Sequence, residues 1–147
     1  MKTKILFYIE LPPPVHGMTY INKIIYDGLK SDEKYHFHNV DFSSEVSDIG
    51  KRGLSKVWQN IKLAFGAWKS FFKIMPTQVY SIVSASMFGI VRDFLILIPS
   101  VVFSKKRILH LHGFTYYDIY QNSKLYRVLF DILVSNSKLI VLCEAQK

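Results

Sequence analysis

Five short apolar runs, separated by segments long enough to be helices, constrain the fold of this chain more than any other feature. The runs are KILFYIEL (4–11), YHFHNVDF (35–42), QVYSIVSAS (78–86), RILHLHGF (107–114) and KLIVLCE (138–144). The first is nearly continuously apolar, as suits a strand buried on both faces. The second alternates apolar or aromatic with polar residues and suits a half-buried or edge strand. Residues 18–30 place Ile21, Ile24, Ile25 and Leu29 on one helical face. Residues 43–53 are a polar loop. Residues 54–75 are helical in length and period and end at Pro76. Residues 87–105 form a largely buried helix, kinked or ended near Pro99. Residues 116–137 are helical, in one or two pieces. This alternation predicts βαβ units and a Rossmann-like three-layer α/β/α fold with a mostly parallel sheet. Ligands on such sheets bind at the strands' carboxyl ends, near the switch in strand order. That selects the loops after residues 11, 42, 86, 112 and 144.

The 147 residues suit a single domain, and half of them are hydrophobic against 20% charged, enough for a packed core. There is no internal repeat. A lone cysteine, Cys143, rules out an internal disulfide and fits a reducing compartment. Lysines before KILFYI imitate a signal peptide, but the run contains Glu10 and ends in prolines, so it reads as a first strand. FLILIPSVVF (94–103) falls short of the roughly 20 apolar residues of a spanning helix, follows Arg92 and Asp93, and contains Pro99. The net charge of +8 favours anionic partners without choosing among them.

The loop after the first strand is LPPPVHGMT (11–19). Pro12, Pro13 and Pro14 stiffen it, Gly17 allows close backbone approach, and Thr19 can cap the next helix, whose N–H groups favour anions. With His16 these parts suit a phosphate or a sugar hydroxyl; an ordinary βα turn is the alternative. The loop lacks the three glycines of a dinucleotide fingerprint, and no P-loop occurs. In HLHG, His110 and His112 share one strand face. His112 meets Gly113 at the ligand-facing end, where it can donate to a sugar hydroxyl or stabilise a phosphate. His110 reads as a buried, hydrogen-bonded histidine. No carboxylate or cysteine cluster completes a metal site. Cys143 reads as a small buried residue, and Glu144 stands at the ligand-facing edge.

Within residues 54–75, Lys62, Lys69 and Lys73 lie close together on a helical wheel, with Lys56 and Gln59 extending the polar side. Ile61, Phe65, Trp68 and Phe72 form the opposite face, with Trp58 at a boundary. Such a helix suits a membrane interface, with Lys62, Lys69, Lys73, Trp58 and Trp68 as contacts. The alternative is a sheet-covering helix with solvated lysines. No nucleic-acid reader motif accompanies the lysines.

KILFYIELPPPVHGMTYIN resembles the opening of family 4 glycosyltransferases of the GT-B fold, especially bacterial enzymes of surface-polysaccharide assembly. SMFGIVRDFLIL and KRILHLHG resemble the next two landmarks in order. KLIVLCE resembles the strand that usually ends in serine, a position held here by Cys143. The resemblance spans essentially the whole chain. It implies a cytoplasmic enzyme, peripheral on the inner face of the membrane. Such an enzyme moves a sugar from a nucleotide diphosphate sugar to a saccharide or lipid-linked acceptor, with retention, no resident cofactor and usually no metal. It implies a catalytic role for His112 near the transferred sugar. His16, Gly17, Thr19, Gly113 and Glu144 are the expected contacts to substrate or diphosphate. Family members carry a second, donor-binding domain with an acidic pair and basic residues, which these residues do not include. The chain therefore reads as a single acceptor-side domain, truncated near its fifth strand and inactive alone. It would expose apolar surface near the cleft, through which it could form a homodimer. The competing reading is a non-enzymatic, basic, membrane-associated α/β binding module; a flavodoxin-like nucleotide domain would need a phosphate loop that is lacking.

Overall fold

The computed structural model describes residues 3–32, 35–41, 54–112 and 115–141. Its elements run β1 (Thr3–Ile9), α1 (Gly17–Lys30), β2 (Tyr35–Asp41), α2 (Leu54–Ile74), β3 (Gln78–Val83), α3 (Met87–Val102), β4 (Lys106–Leu111), α4 (Tyr116–Asn122), α5 (Lys124–Val134) and β5 (Ser137–Ile140). The strands form one sheet in the order β2-β1-β3-β4-β5, and every neighbouring pair is parallel. The chain leaves β1 in one direction to β2 and returns past it to β3. The direction of winding therefore switches between β1 and β3.

Period-two alternation divides the core. Leu6 and Tyr8 of β1 face a large cluster with Val79 and Val83 of β3 and Leu109 and Leu111 of β4. That cluster is closed by Ala64, Ala67 and Phe71 of α2, Ile90, Ile96 and Leu97 of α3, and Tyr126 and Leu133 of α5. Ile5, Phe7 and Ile9 face the other way, with Tyr80, against Ile25 and Tyr26 of α1. Each large side chain buried in this way stabilises the fold by about 1.5–3 kcal/mol. The three layers expected from the sequence are present, and β2 is an edge strand.

α3 does not stop or break at Pro99 but continues to Val102. A proline there leaves the carbonyl four residues earlier without its helical donor. That carbonyl, of Leu95, instead accepts the indole Nε1–H of Trp68 at 2.8 Å. Trp68 thus repairs the defect that proline introduces and is held partly inside the fold. A second internal tie is Arg107, 2% exposed, on the face shared with Leu109. Its guanidinium donates to Ser100 O and Leu133 O, each at 3.0 Å, and to Ser135 O. It therefore neutralises the negative ends of α3 and α5 together. Burial lowers its pKa from the usual range.

Between β4 and β5 the helical segment divides into two pieces at Ser123, whose hydroxyl accepts from Tyr126 N at 3.2 Å and caps α5. Among the described residues, no helix is long and apolar enough to cross a membrane.

Candidate functional site

A cleft of about 210 Å³ opens at the carboxyl ends of β1 and β3, where the winding switches. Its lining includes Glu10 just after β1, Met18 in the first turn of α1, Ser84 and Ser86 after β3, Arg92 and Asp93 of α3, and His112 just after β4. Two of the five loops selected from sequence, those after residues 42 and 144, lie outside the described residues. The ends of β1, β3 and β4 meet here, but residues 11–17 of the first loop are not among the lining.

The β1–α1 elbow differs from expectation in who caps the helix. His16 is the N-cap, its Nδ1 accepting from Thr19 N at 3.5 Å, while His16 N donates to Thr19 Oγ1 at 3.0 Å. The Thr19 hydroxyl also lies 2.9 Å from Pro14 O, and the residue is fully buried. Thr19 therefore locks the elbow internally and has no hydroxyl to offer a ligand, which corrects its expected binding role. His16 stays exposed, with Nε2 4.0 Å from Glu10 Oε2. Gly17 is exposed, and a Cβ built there would meet nothing within 4 Å. The fold does not itself require glycine at this position, and neither His16 nor Gly17 is among the residues that line the cleft. Asn22, fully buried, fastens the elbow from below by donating to Glu10 O at 2.9 Å.

The β3–α3 turn is a polar clamp that sequence reading missed. Ser86 caps α3, its hydroxyl accepting from Gly89 N at 3.1 Å. Asp93, 4% exposed, accepts Ser84 N at 2.7 Å through one carboxylate oxygen. Its other oxygen takes Arg92 Nε at 3.0 Å and Nη2 at 2.8 Å. Arg92 Nη2 also donates to Ser84 Oγ at 3.0 Å. Burial pulls the Arg92 pKa down, but the charge and hydrogen bonds of Asp93, helped by Glu10, outweigh it and leave the guanidinium above its usual value. The available signal was the charged pair Arg92–Asp93 inside an otherwise apolar helix. It read as an interruption of a hydrophobic run, although a buried ion pair beside a cleft is a candidate for a site.

His110 and His112 do share a face, and their rings meet edge to face at 5.6 Å. His110 is buried with its Nδ1 2.9 Å from Tyr80 Oη, the structural role expected of it. Burial first, and then the charge of His112, lower its pKa. His112 is only partly buried and lines the cleft. Its backbone N donates to Tyr116 Oη at 3.0 Å, and that hydroxyl donates in turn to Val83 O. Tyr116 thereby ties the end of β4 to the end of β3; burial pushes its pKa up to about 12, so it stays protonated. His112 Nδ1 is buried without a hydrogen-bond partner among the described residues. Gly113 and Glu144, expected beside His112, lie outside the described residues, as does Cys143.

The cleft lining thus offers two carboxylates (Glu10 and Asp93), one fixed cation (Arg92), one imidazole (His112) and the hydroxyls of Ser81, Ser84 and Ser86. Such a mixture suits the many donors and acceptors of a polyhydroxylated ligand.

On α2, Ala64, Ala67 and Phe71 are buried. Trp58, Phe65 and Phe72 point outward and are 59%, 63% and 50% exposed. The expected opposition of an aromatic face to a lysine face is therefore corrected. Small residues let α2 lie close on the core, and large aromatics join the exposed lysines outside. Trp68 is the exception, since its ring is engaged with Leu95, and it is withdrawn as an interfacial contact.

No protein-family model and no curated protein matches the chain. A crystal structure of a conserved protein from Enterococcus faecalis V583 is similar at 8% sequence identity and a TM-score of 0.47, covering 96% of this chain and 92% of that one.

Proposed function

We propose that this chain is the acceptor-side domain of a retaining glycosyltransferase that uses a nucleotide diphosphate sugar and a saccharide or lipid-linked acceptor. The observation that carries the reading is the convergence of Glu10, Arg92 and His112 on one cleft at the topological switch point. The resemblance of the first, third and fourth strand–loop units to family 4 enzymes supports it. Glu10 would accept from an acceptor hydroxyl, the His112 imidazole would donate to the sugar, and the Arg92 guanidinium would orient an oxygen beside the N-terminus of α3. Contacts to the nucleotide would come from a second domain. Val15, Phe88 and Tyr117 follow β1, β3 and β4 and are 75%, 90% and 70% exposed, which suits surface that such a domain covers.

The test is saturation-transfer NMR on the full chain with a panel of methyl glycosides and with UDP-glucose. Transfer to at least one glycoside, little to UDP-glucose and no turnover of the nucleotide sugar are expected. Robust sugar-nucleotide turnover by this chain alone, or no glycoside binding, would contradict the reading. The alternative, a non-enzymatic membrane-associated module on the cytoplasmic face, is favoured by the outward aromatics of α2. It expects vesicle binding with a silent cleft.

A further inference from the structure

The helices after α1 all pack on one side of the sheet, around Leu6, Val79 and Leu109. The other side carries Ile5, Phe7 and Ile9 of β1, against Ile25 and Tyr26 of α1. Register extends that second side across the sheet. Tyr80 aligns with Phe7 and with Ile108, Ile108 with Lys138, Ile82 with His110, and His110 with Ile140. Among the described residues, no helix lies over its β3–β4–β5 part. Ile82 and Ile108 are only partly buried there, and Ile140 is 39% exposed. Three strands at about 4.8 Å spacing make a trough roughly 14 Å wide, room for one helix of about 10 Å diameter. At its amino end a hollow of about 300 Å³ opens among Gln78, Lys106, Ile108 and Lys138.

The wall of this trough is α1. Thr19 and Asn22 are fully buried and Ile25 and Tyr26 partly so, which marks the side of α1 toward the sheet. Ile21, Ile24 and Gly28 follow one another along one flank of that line, and Lys23, Asp27 and Lys30 along the other. A right-handed β1–α1–β2 crossover fixes on which side of α1 the edge strand β2 lies. A right-handed helix running antiparallel to β1 then turns its charged flank to the β2 edge and its isoleucine flank over the trough. Ile21 and Ile24 are 36% and 51% exposed. A Cβ built at Gly28 would meet nothing within 4 Å. Glycine inside a helix costs about 1 kcal/mol relative to alanine, and the fold of one chain does not require it here.

An exposed apolar helix flank beside a trough one helix wide is self-complementary, which is what a two-fold interface demands. We propose that two copies of this chain pair through this face, each α1 filling the trough of the other. The two-fold axis runs parallel to the strands, because an axis across them would drive α1 onto α1. The two α1 helices then lie side by side, and Gly28 lets their backbones approach. Ile24 points onto the partner's Ile108. The C-terminal end of α1, with its negative dipole, Asp27 and Asp32, comes to the partner's Lys106 and Lys138. Asp27 is half-exposed in an ion pair with Lys23, a surface pair of little worth that can re-form across the interface. Trough and flank give each copy on the order of 600 Å² to bury, near the lower bound of about 1,200 Å² in total for stable complexes, so micromolar affinity is expected. This sheet face is distinct from the cleft-side surface of Val15, Phe88 and Tyr117. The inference does not depend on the glycosyl-transfer reading.

The experiment is sedimentation velocity of the full chain from about 1 to about 300 μM, a range that brackets micromolar dissociation. A monomer–dimer equilibrium is expected. Ile24→Glu and Gly28→Leu change only exposed positions of the monomer. Each should weaken dimerisation more than tenfold, with the circular dichroism spectrum unchanged and, for Gly28→Leu, an unfolding midpoint no lower than wild type at low concentration. Asp27→Lys and Lys138→Glu should each weaken it, and Asp27→Lys/Lys138→Glu should recover most of the loss, a rescue that general destabilisation would not give. A monomer across the whole range, or a dimer that survives both Ile24→Glu and Gly28→Leu, would overturn the proposal. So would a dimer broken instead by Phe88→Ser beside the cleft or by Phe65→Ser on the outer side of α2.

Discussion

Gly89 sits directly against Ser84: a Cβ added at Gly89 would lie 2.3 Å from Ser84 Cβ and 2.7 Å from its hydroxyl. Ser84 is the residue whose amide and hydroxyl are held by Asp93 and Arg92. The first turn of α3 can approach the clamp only because position 89 has no side chain.

Gly89→Ala should therefore destabilise the fold by about 1–3 kcal/mol, although alanine normally stabilises a helix. Urea unfolding monitored by circular dichroism measures this. A neutral or stabilising result would mean that the β3–α3 turn is looser than described.

Trp68→Phe keeps most of the apolar ring but removes the donor to Leu95 O. The carbonyl that Pro99 leaves open would lose its partner, at a cost of about 1–3 kcal/mol. The double variant with Pro99→Ala restores the helical donor. It should recover much of that loss, since the two residues act on one carbonyl. Strict additivity of the two changes would contradict the coupling.

Acidification tests His110. Its folded pKa is lowered by burial and by His112. The unfolded chain therefore takes up a proton, near pH 6.5, that the folded chain refuses. Stability from this group is full above that pH and falls as pH drops toward the lower folded pKa, at up to about 1.4 kcal/mol per pH unit. Denaturation midpoints across this range should fall more steeply for the wild-type chain than for His110→Gln. Identical slopes would contradict a buried neutral His110.

The alternation of strands and helices was legible because it rests on local periodicity. His110 and His112 were assigned to one face for the same reason. What sequence could not show depended on which residue reached which. Pro99 looked like a kink or an end of the helix because local sequence does not show that Trp68, far away in the chain, satisfies the carbonyl that it frees. Thr19 looked like the cap because the capping box here is inverted, with His16 outside and threonine at the third helical position. The aromatics of α2 were placed on the face opposite the lysines, whereas Phe65 and Phe72 are exposed beside them. Packing through Ala64 and Ala67 leaves no room for them on the inner side. Arg92 and Asp93 gained meaning only once the switch point was located beside them.

The most direct measurement for the cleft is to map the amides perturbed in a ¹⁵N–¹H correlation spectrum when the best-binding methyl glycoside is added. Shifts should concentrate at Glu10, Met18, Ser84, Ser86, Arg92 and His112. Glu10→Gln and His112→Ala should each weaken binding about tenfold with unfolding midpoints unchanged, the loss expected for one hydrogen bond to a charged or well-placed polar group. Shifts confined to other surfaces, or binding indifferent to both substitutions, would contradict the assignment of this cleft as the saccharide site.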